Sequence, residues 1–200
     1  MRFMYAQLIR FLGCYTAVYH MTEHISNTSL SGLKLLEFLE MTNQERPEIT
    51  GGCVLLTGAT LTLGMILMAF SISYKKTPRG SEKRTLKRLI RNIDKIQARV
   101  FHAAANDLAI FNAYRATLKS RAKNKSSKLH AALERATNSL SSAGRVLVEA
   151  IDETRKGLPY VDGSVACDVE AGLLVLEASQ KGIRVLADSN QALLDRDAHS

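Results

Sequence analysis

Twenty-six consecutive residues, Ile49 to Tyr74, carry no charged side chain. No other feature of the 200-residue chain restricts its fold as much. The run is bounded by Glu48 and Lys75. A helix rising ~1.5 Å per residue crosses the hydrocarbon core of a bilayer in about 20 apolar residues, and this run exceeds that length. Its polar members are Thr57, Thr60, Thr62, Ser71 and Ser73. Their hydroxyls can bond back to helix carbonyls, so lipid tolerates them. Gly58, Thr62 and Met65 give one face on which a second helix can approach closely. The length predicts a single transmembrane helix over residues 49–74. The rival is the buried core helix of a compact domain, which the length disfavours.

Part of the run, TGATLTLG, resembles the TGxxGxxG fingerprint of the short-chain dehydrogenases over eight residues. Such a loop needs its glycines for a tight turn and for close approach of the backbone to pyrophosphate. Gly58 and Gly64 hold the outer places, but Leu61 holds the middle one, where its side chain would displace the phosphates. No Tyr is followed by Lys four residues later, and no alternation of strand and helix patterns follows. The dinucleotide reading is set aside.

The net charge of +8 is unevenly placed. Residues 75–99 hold ten bases and two acids, while residues 129–200 hold seven bases and eleven acids. A basic belt directly after an apolar run predicts contact with anionic lipid headgroups through Lys75, Lys76, Arg79, Lys83 and Arg84, each contributing about 1 kcal/mol. The same belt predicts retention on the cytoplasmic side, hence a single-pass integral membrane protein with its C-terminal region inside. Nucleic acid is disfavoured as a partner, because the aromatic residues of a single-strand binder are not interleaved with the bases.

Ahead of the span, residues 1–24 read as an amphipathic or interfacial segment interrupted by Arg10, with a second membrane segment as the alternative. Residues 25–48 read as an acidic linker with a short amphipathic helix in SLSGLKLLEFLEM. Residues 75–200 form the belt and a cytoplasm-facing helical bundle over 81–197. Three apolar stripes mark its helices. The first runs through Leu86, Leu89, Ile93, Ile96 and Val100, then shifts to Ala104, Leu108 and Phe111. The second runs through Leu129, Leu133, Ala136, Leu140, Ala143 and Leu147, and the third through Val169, Leu173, Leu176, Gln180, Ile183, Ala187 and Asn190. KSRAKNKSSK and KGLPYVDGS break the stripes. Leu133, Leu140, Leu147, Leu173, Leu176 and Ile183 are the expected packing residues. Gln180 and Asn190, at otherwise apolar places, are read as fixing register. The fold class is therefore all-α, one transmembrane helix followed by a long-helix antiparallel bundle or coiled coil.

Chemistry is sparse at this level. HMTEH (His20 to His24) has the H-x-x-E-H order of inverted zinc peptidases, but it lacks a third ligand and a surrounding domain. Cys14, Cys53 and Cys167 form no CxxC pair. No catalytic residue, cofactor site or metal site is assigned. The sequence reading is a non-enzymatic membrane-anchored scaffold, assembly subunit or tether that acts through helix packing, with a helical partner or a second copy. A self-associating virion or secretion-complex subunit and a nucleic-acid-binding helical protein are its alternatives.

Overall fold

A computed structural model describes residues 30–32, 34–43, 49–119 and 125–197. The expected interfacial segment 1–24, the HMTEH motif and Cys14 lie outside the described residues, as do Glu45, Arg46 and Pro47 of the acidic linker. The chain divides into two units, residues 1–33 and 34–200. In the first, Leu30–Gly32 form a single 3-10 turn. The second is all helical among its described residues: α1 (Leu35–Thr42), α2 (Gly51–Lys76), α3 (Ser81–Lys119), α4 (Lys125–Gly157) and α5 (Ala166–Asp197).

The four long helices make an up-down-up-down bundle. Each packs against its sequence neighbour, and α5 closes the ring against α2. Specific pairs set the direction of every seam. Gln97 of α3 donates to the Thr60 carbonyl of α2 at 2.9 Å, while Lys83 stands over the Tyr74 ring at 4.8 Å. Asn92 reaches Glu153, and Asn106 reaches Ser139, which runs α4 antiparallel to α3. Gly51 lies against Leu186, Gly182 against Leu55 and Gly172 against Ile66, which does the same for α5 and α2. The stripes read from the sequence point into the centre. Leu86, Leu89, Ile93 and Val100 are fully buried, as are Leu147, Leu176 and Ile183, while Leu140 and Leu173 are buried nearly as completely. Leu133 is half-buried.

The apolar run is one continuous helix, but it is not an anchor standing outside the bundle. Cys53, Leu56, Ala59, Leu63, Ile66, Ala69 and Phe70 are almost wholly buried against α3, α4 and α5. A core helix covered on most of its circumference needs an uncharged sequence just as a membrane span does. Length and composition do not separate the two, and the expected transmembrane helix is corrected to a bundle core helix. Three of its hydroxyls turn back onto their own helix, Thr60 to Leu56, Thr62 to Gly58 and Ser73 to Ala69.

The belt is used at the α2–α3 turn. Lys76 binds Asp162 and Ser164 at 2.8 Å, and Lys83 donates to the Thr77 carbonyl. Lys75, Arg79 and Arg84 are exposed. The Lys76 ammonium and the Ser164 hydroxyl hold the Asp162 carboxyl down at about 2. This ties the α4–α5 connection to the end of α2, where Asp162 also donates its amide to the Ser73 hydroxyl.

Candidate active site

At the opposite end of the bundle, α2 begins with Thr50-Gly51-Gly52-Cys53. Thr50 is the N-cap: its hydroxyl oxygen accepts from the Cys53 amide at 2.9 Å. The same hydroxyl donates a hydrogen bond to Asp107 Oδ2 of α3. One side chain thus starts the helix and holds a carboxyl at its N-terminus, where the helix dipole favours negative charge. The carboxyl reaches that place because residue 52 is glycine. A Cβ there would stand 2.7 Å from Asp107 Oδ2 and 2.8 Å from Leu140 Cδ2.

Asp107 is 5% exposed. Burial raises its pKa, and the Thr50 hydroxyl and Cys53 amide offset only part of that rise. The neighbouring thiol responds to the same environment: burial pushes Cys53 up to about 11, with the charge of Asp107 adding to the effect. A carboxyl with a raised pKa holds a proton more readily than an ordinary carboxylate, which suits it to general acid–base work.

The carboxyl opens onto a cavity of about 290 Å³. Gly51 and Gly52 line its floor with Thr50. As the first helical residues they have no intrahelical acceptor for their amides. Ile110, Phe111 and Tyr114 of α3 form one wall, Ala132, Leu133, Ala136 and Leu140 of α4 a second, and Leu186, Asn190 and Leu193 of α5 a third. The result is an apolar slot, half open to solvent, with few polar groups: Thr50, Asp107, Tyr114 and Asn190. Arg115 stands 5.7 Å from the centre of the Phe111 ring, next to the cavity wall. No group of three potential metal ligands occurs among the described residues.

A model of the formiminotransferase-cyclodeaminase family matches residues 34–199. The chain belongs to that family. Among solved structures, formiminotetrahydrofolate cyclodeaminase from Thermotoga maritima matches with a TM-score of 0.72 at 20% identity, over 81% of this chain and 80% of that one. At that identity the likeness speaks for the fold. No curated protein matches the sequence. Membership in a formiminotransferase-cyclodeaminase family points to an enzyme. The expectation of a non-enzymatic scaffold, assembly subunit or tether is therefore overturned, with its virion and nucleic-acid alternatives. So is the single-pass membrane localisation, whose span is the α2 core helix.

The residues named from the sequence scatter relative to this site. Leu133 and Leu140 line it, whereas Leu147, Leu173, Leu176 and Ile183 lie in the core beyond its lining. The five basic residues are at or beside the α2–α3 turn, at the far end of the bundle. Asp107 escapes a reading by apolar stripes, because the first stripe passes over it from Ala104 to Leu108. Two signals mark it. It is the one acid among residues 100–128, and it lies seven residues after Val100, on the buried face.

Proposed function

We propose that the chain catalyses a cyclodeamination on a formimino-bearing folate, the reaction class named for its structural relative. The observation that carries this reading is Asp107, a buried carboxyl with a raised pKa at the floor of an apolar slot. A formimino group, an amidine protonated at neutral pH, holds an sp2 carbon between two nitrogens, the terminal one as NH2+. Ring closure adds a neighbouring amine of the same molecule to that carbon, and the terminal nitrogen leaves as ammonia. The attacking amine must lose a proton and the leaving nitrogen must gain one. Ionised Asp107 takes the first proton and then delivers it to the leaving amine, so one group serves both transfers and returns to its starting state. Thr50 orients the carboxyl through its hydrogen bond. Ile110, Phe111, Tyr114 and Leu186 offer apolar surface suited to a planar ring system, and the walls restrict water around the reacting carbon.

The test is turnover of 5-formiminotetrahydrofolate by the purified full chain, followed by ammonia release and by the absorbance of the methenyl product. Asp107→Asn keeps the shape and removes the proton carrier, so the rate is expected to fall by about 10²–10⁴. Wild-type protein that releases no ammonia, or an Asp107→Asn variant as fast as wild type, rejects the proposal.

A further inference from the structure

On its outer side the α3–α4 seam opens into a groove of about 350 Å³, which shares no lining residue with the apolar slot. Arg99, His102 and Asn106 of α3 form one wall. They are three and four residues apart in turn, so they stand in a row along one side of the helix, over ~10 Å at 1.5 Å per residue. Ser139 and Ser142 face them from α4. The floor is made by Ala103, Ala143 and Val146. Alanine at two of these facing places leaves the helices with a gap between them, which longer side chains would fill.

Every polar side chain on the walls can donate a hydrogen bond, and none is a carboxylate. Arg99 gives Nη1 to Glu149 at 2.7 Å, which steadies the guanidinium and leaves its remaining N–H groups free. Asn106 donates one amide hydrogen to the Ser139 oxygen at 2.9 Å, so the Ser139 O–H and the second amide hydrogen stay available. His102 and Ser142 have no hydrogen-bond or ionic partner among the described residues. Lys95, one turn before Arg99, and Arg135, one turn before Ser139, are exposed cations beside the groove. Glu149, the carboxylate of α4 at this level, is already bonded to Arg99.

We infer that this groove binds the phosphate group of a small phosphorylated molecule. A wall of donors with few acceptors selects a ligand that only accepts, and the surrounding cations make that ligand an anion. The donors stand on two opposed walls. A tetrahedral phosphate has oxygens for both, whereas a planar carboxylate matches a single fork. Arg99 is the anchor, because its guanidinium keeps its charge and is held in place by Glu149. The volume lies at the low end of small-molecule sites, ~300–1,000 Å³, and exceeds what a phosphate alone fills. A short carbon body therefore fits beside the phosphate, against Ala103, Ala143 and Val146. The inference does not depend on the proposed reaction.

Isothermal titration calorimetry of the full chain with inorganic phosphate tests it, at an ionic strength held constant with chloride. Saturable binding is expected, with a Kd on the order of 1 mM or tighter. Arg99→Gln removes the anchoring charge and Ser142→Asp sets a carboxylate on the opposite wall, so each is expected to weaken binding about tenfold or more. Lys87→Gln removes a cation of the same helix three turns from Arg99 and is expected to change Kd by about twofold or less. All three side chains are exposed, so the variants are expected to keep the wild-type circular dichroism spectrum. Glycerol 3-phosphate is titrated in parallel. Tighter binding than phosphate identifies a phosphomonoester as the ligand, and equal binding identifies free phosphate; either supports the site. A wild type without saturable binding up to about 20 mM phosphate overturns the inference. So does binding that survives both Arg99→Gln and Ser142→Asp in folded protein, or that Lys87→Gln weakens as much as they do.

Discussion

Asp107 couples activity to stability with opposite signs. Its carboxyl titrates above the ordinary carboxylate range because burial disfavours the charge. The folded chain therefore prefers the protonated form. Its contribution to stability is full at pH below the ordinary range and is lost as pH rises through the raised value. Asn in its place carries no charge at any pH. Thermal melts of Asp107→Asn and wild type, run from about pH 4 to about pH 9, are expected to lie close at the acid end, with the variant melting progressively higher as the pH rises. Equal separation at all pH values would show that Asp107 does not titrate in that window. Cys53, three residues into α2, gives a second residue-scale readout. With its thiol pushed up to about 11 and buried, it is expected to resist iodoacetamide at pH ~8 in the folded protein and to react in urea, while exposed Cys167 reacts in both. Peptide mass spectrometry distinguishes the two. Neither residue announces its role in the sequence. A single acid in a long helix is most often solvated, and only the approach of α2 makes this one buried.

The start of α2 is the element on which the site depends. Thr50→Ala removes the helix cap and the Asp107 hydrogen bond together, so a stability loss of about 1 kcal/mol is expected from the cap, with a further rise in the Asp107 pKa as its stabilising donor goes. The pH dependence of turnover reads the second effect and a denaturant titration the first. Gly52→Ala forces a methyl against Asp107 and Leu140, and overpacking of this kind costs about 1–3 kcal/mol. Its effect on the rate should exceed its effect on stability, because the displaced group is the carboxyl itself. At the other end Gly157→Ala would set a Cβ into the Phe70 ring, so it is expected to destabilise the bundle without changing the pH profile. The helices themselves were legible. The three- and four-residue alternation of apolar positions marks α3, α4 and α5, and the stripes stop at KSRAKNKSSK and KGLPYVDGS, where two of the connections fall. What the sequence could not supply was the partner of α2. Twenty-six uncharged residues state only that water is excluded, not whether lipid or protein excludes it.

At the scale of the molecule, the bundle closes by a seam between its first and last long helices. Leu147, on the diagonal helix, is fully buried, and Leu147→Ala is expected to cost about 2–5 kcal/mol, whereas Glu134→Ala on the exposed side should cost ~0.5 kcal/mol or less. Urea denaturation measures both. The closing seam also has a consequence in time. The ribosome finishes α2 long before it makes α5, whose Gly172, Gly182 and Leu186 lie against it. At ~5–20 residues per second, roughly a hundred further residues take about 5–20 s to appear. Throughout that delay α2 is a finished helix, uncharged before Lys75 and without its α5 cover, and to any factor that inspects emerging chains it resembles a membrane span. Slowing translation after Lys76 would lengthen that interval, and speeding it would shorten the period in which the nascent chain can be misdirected.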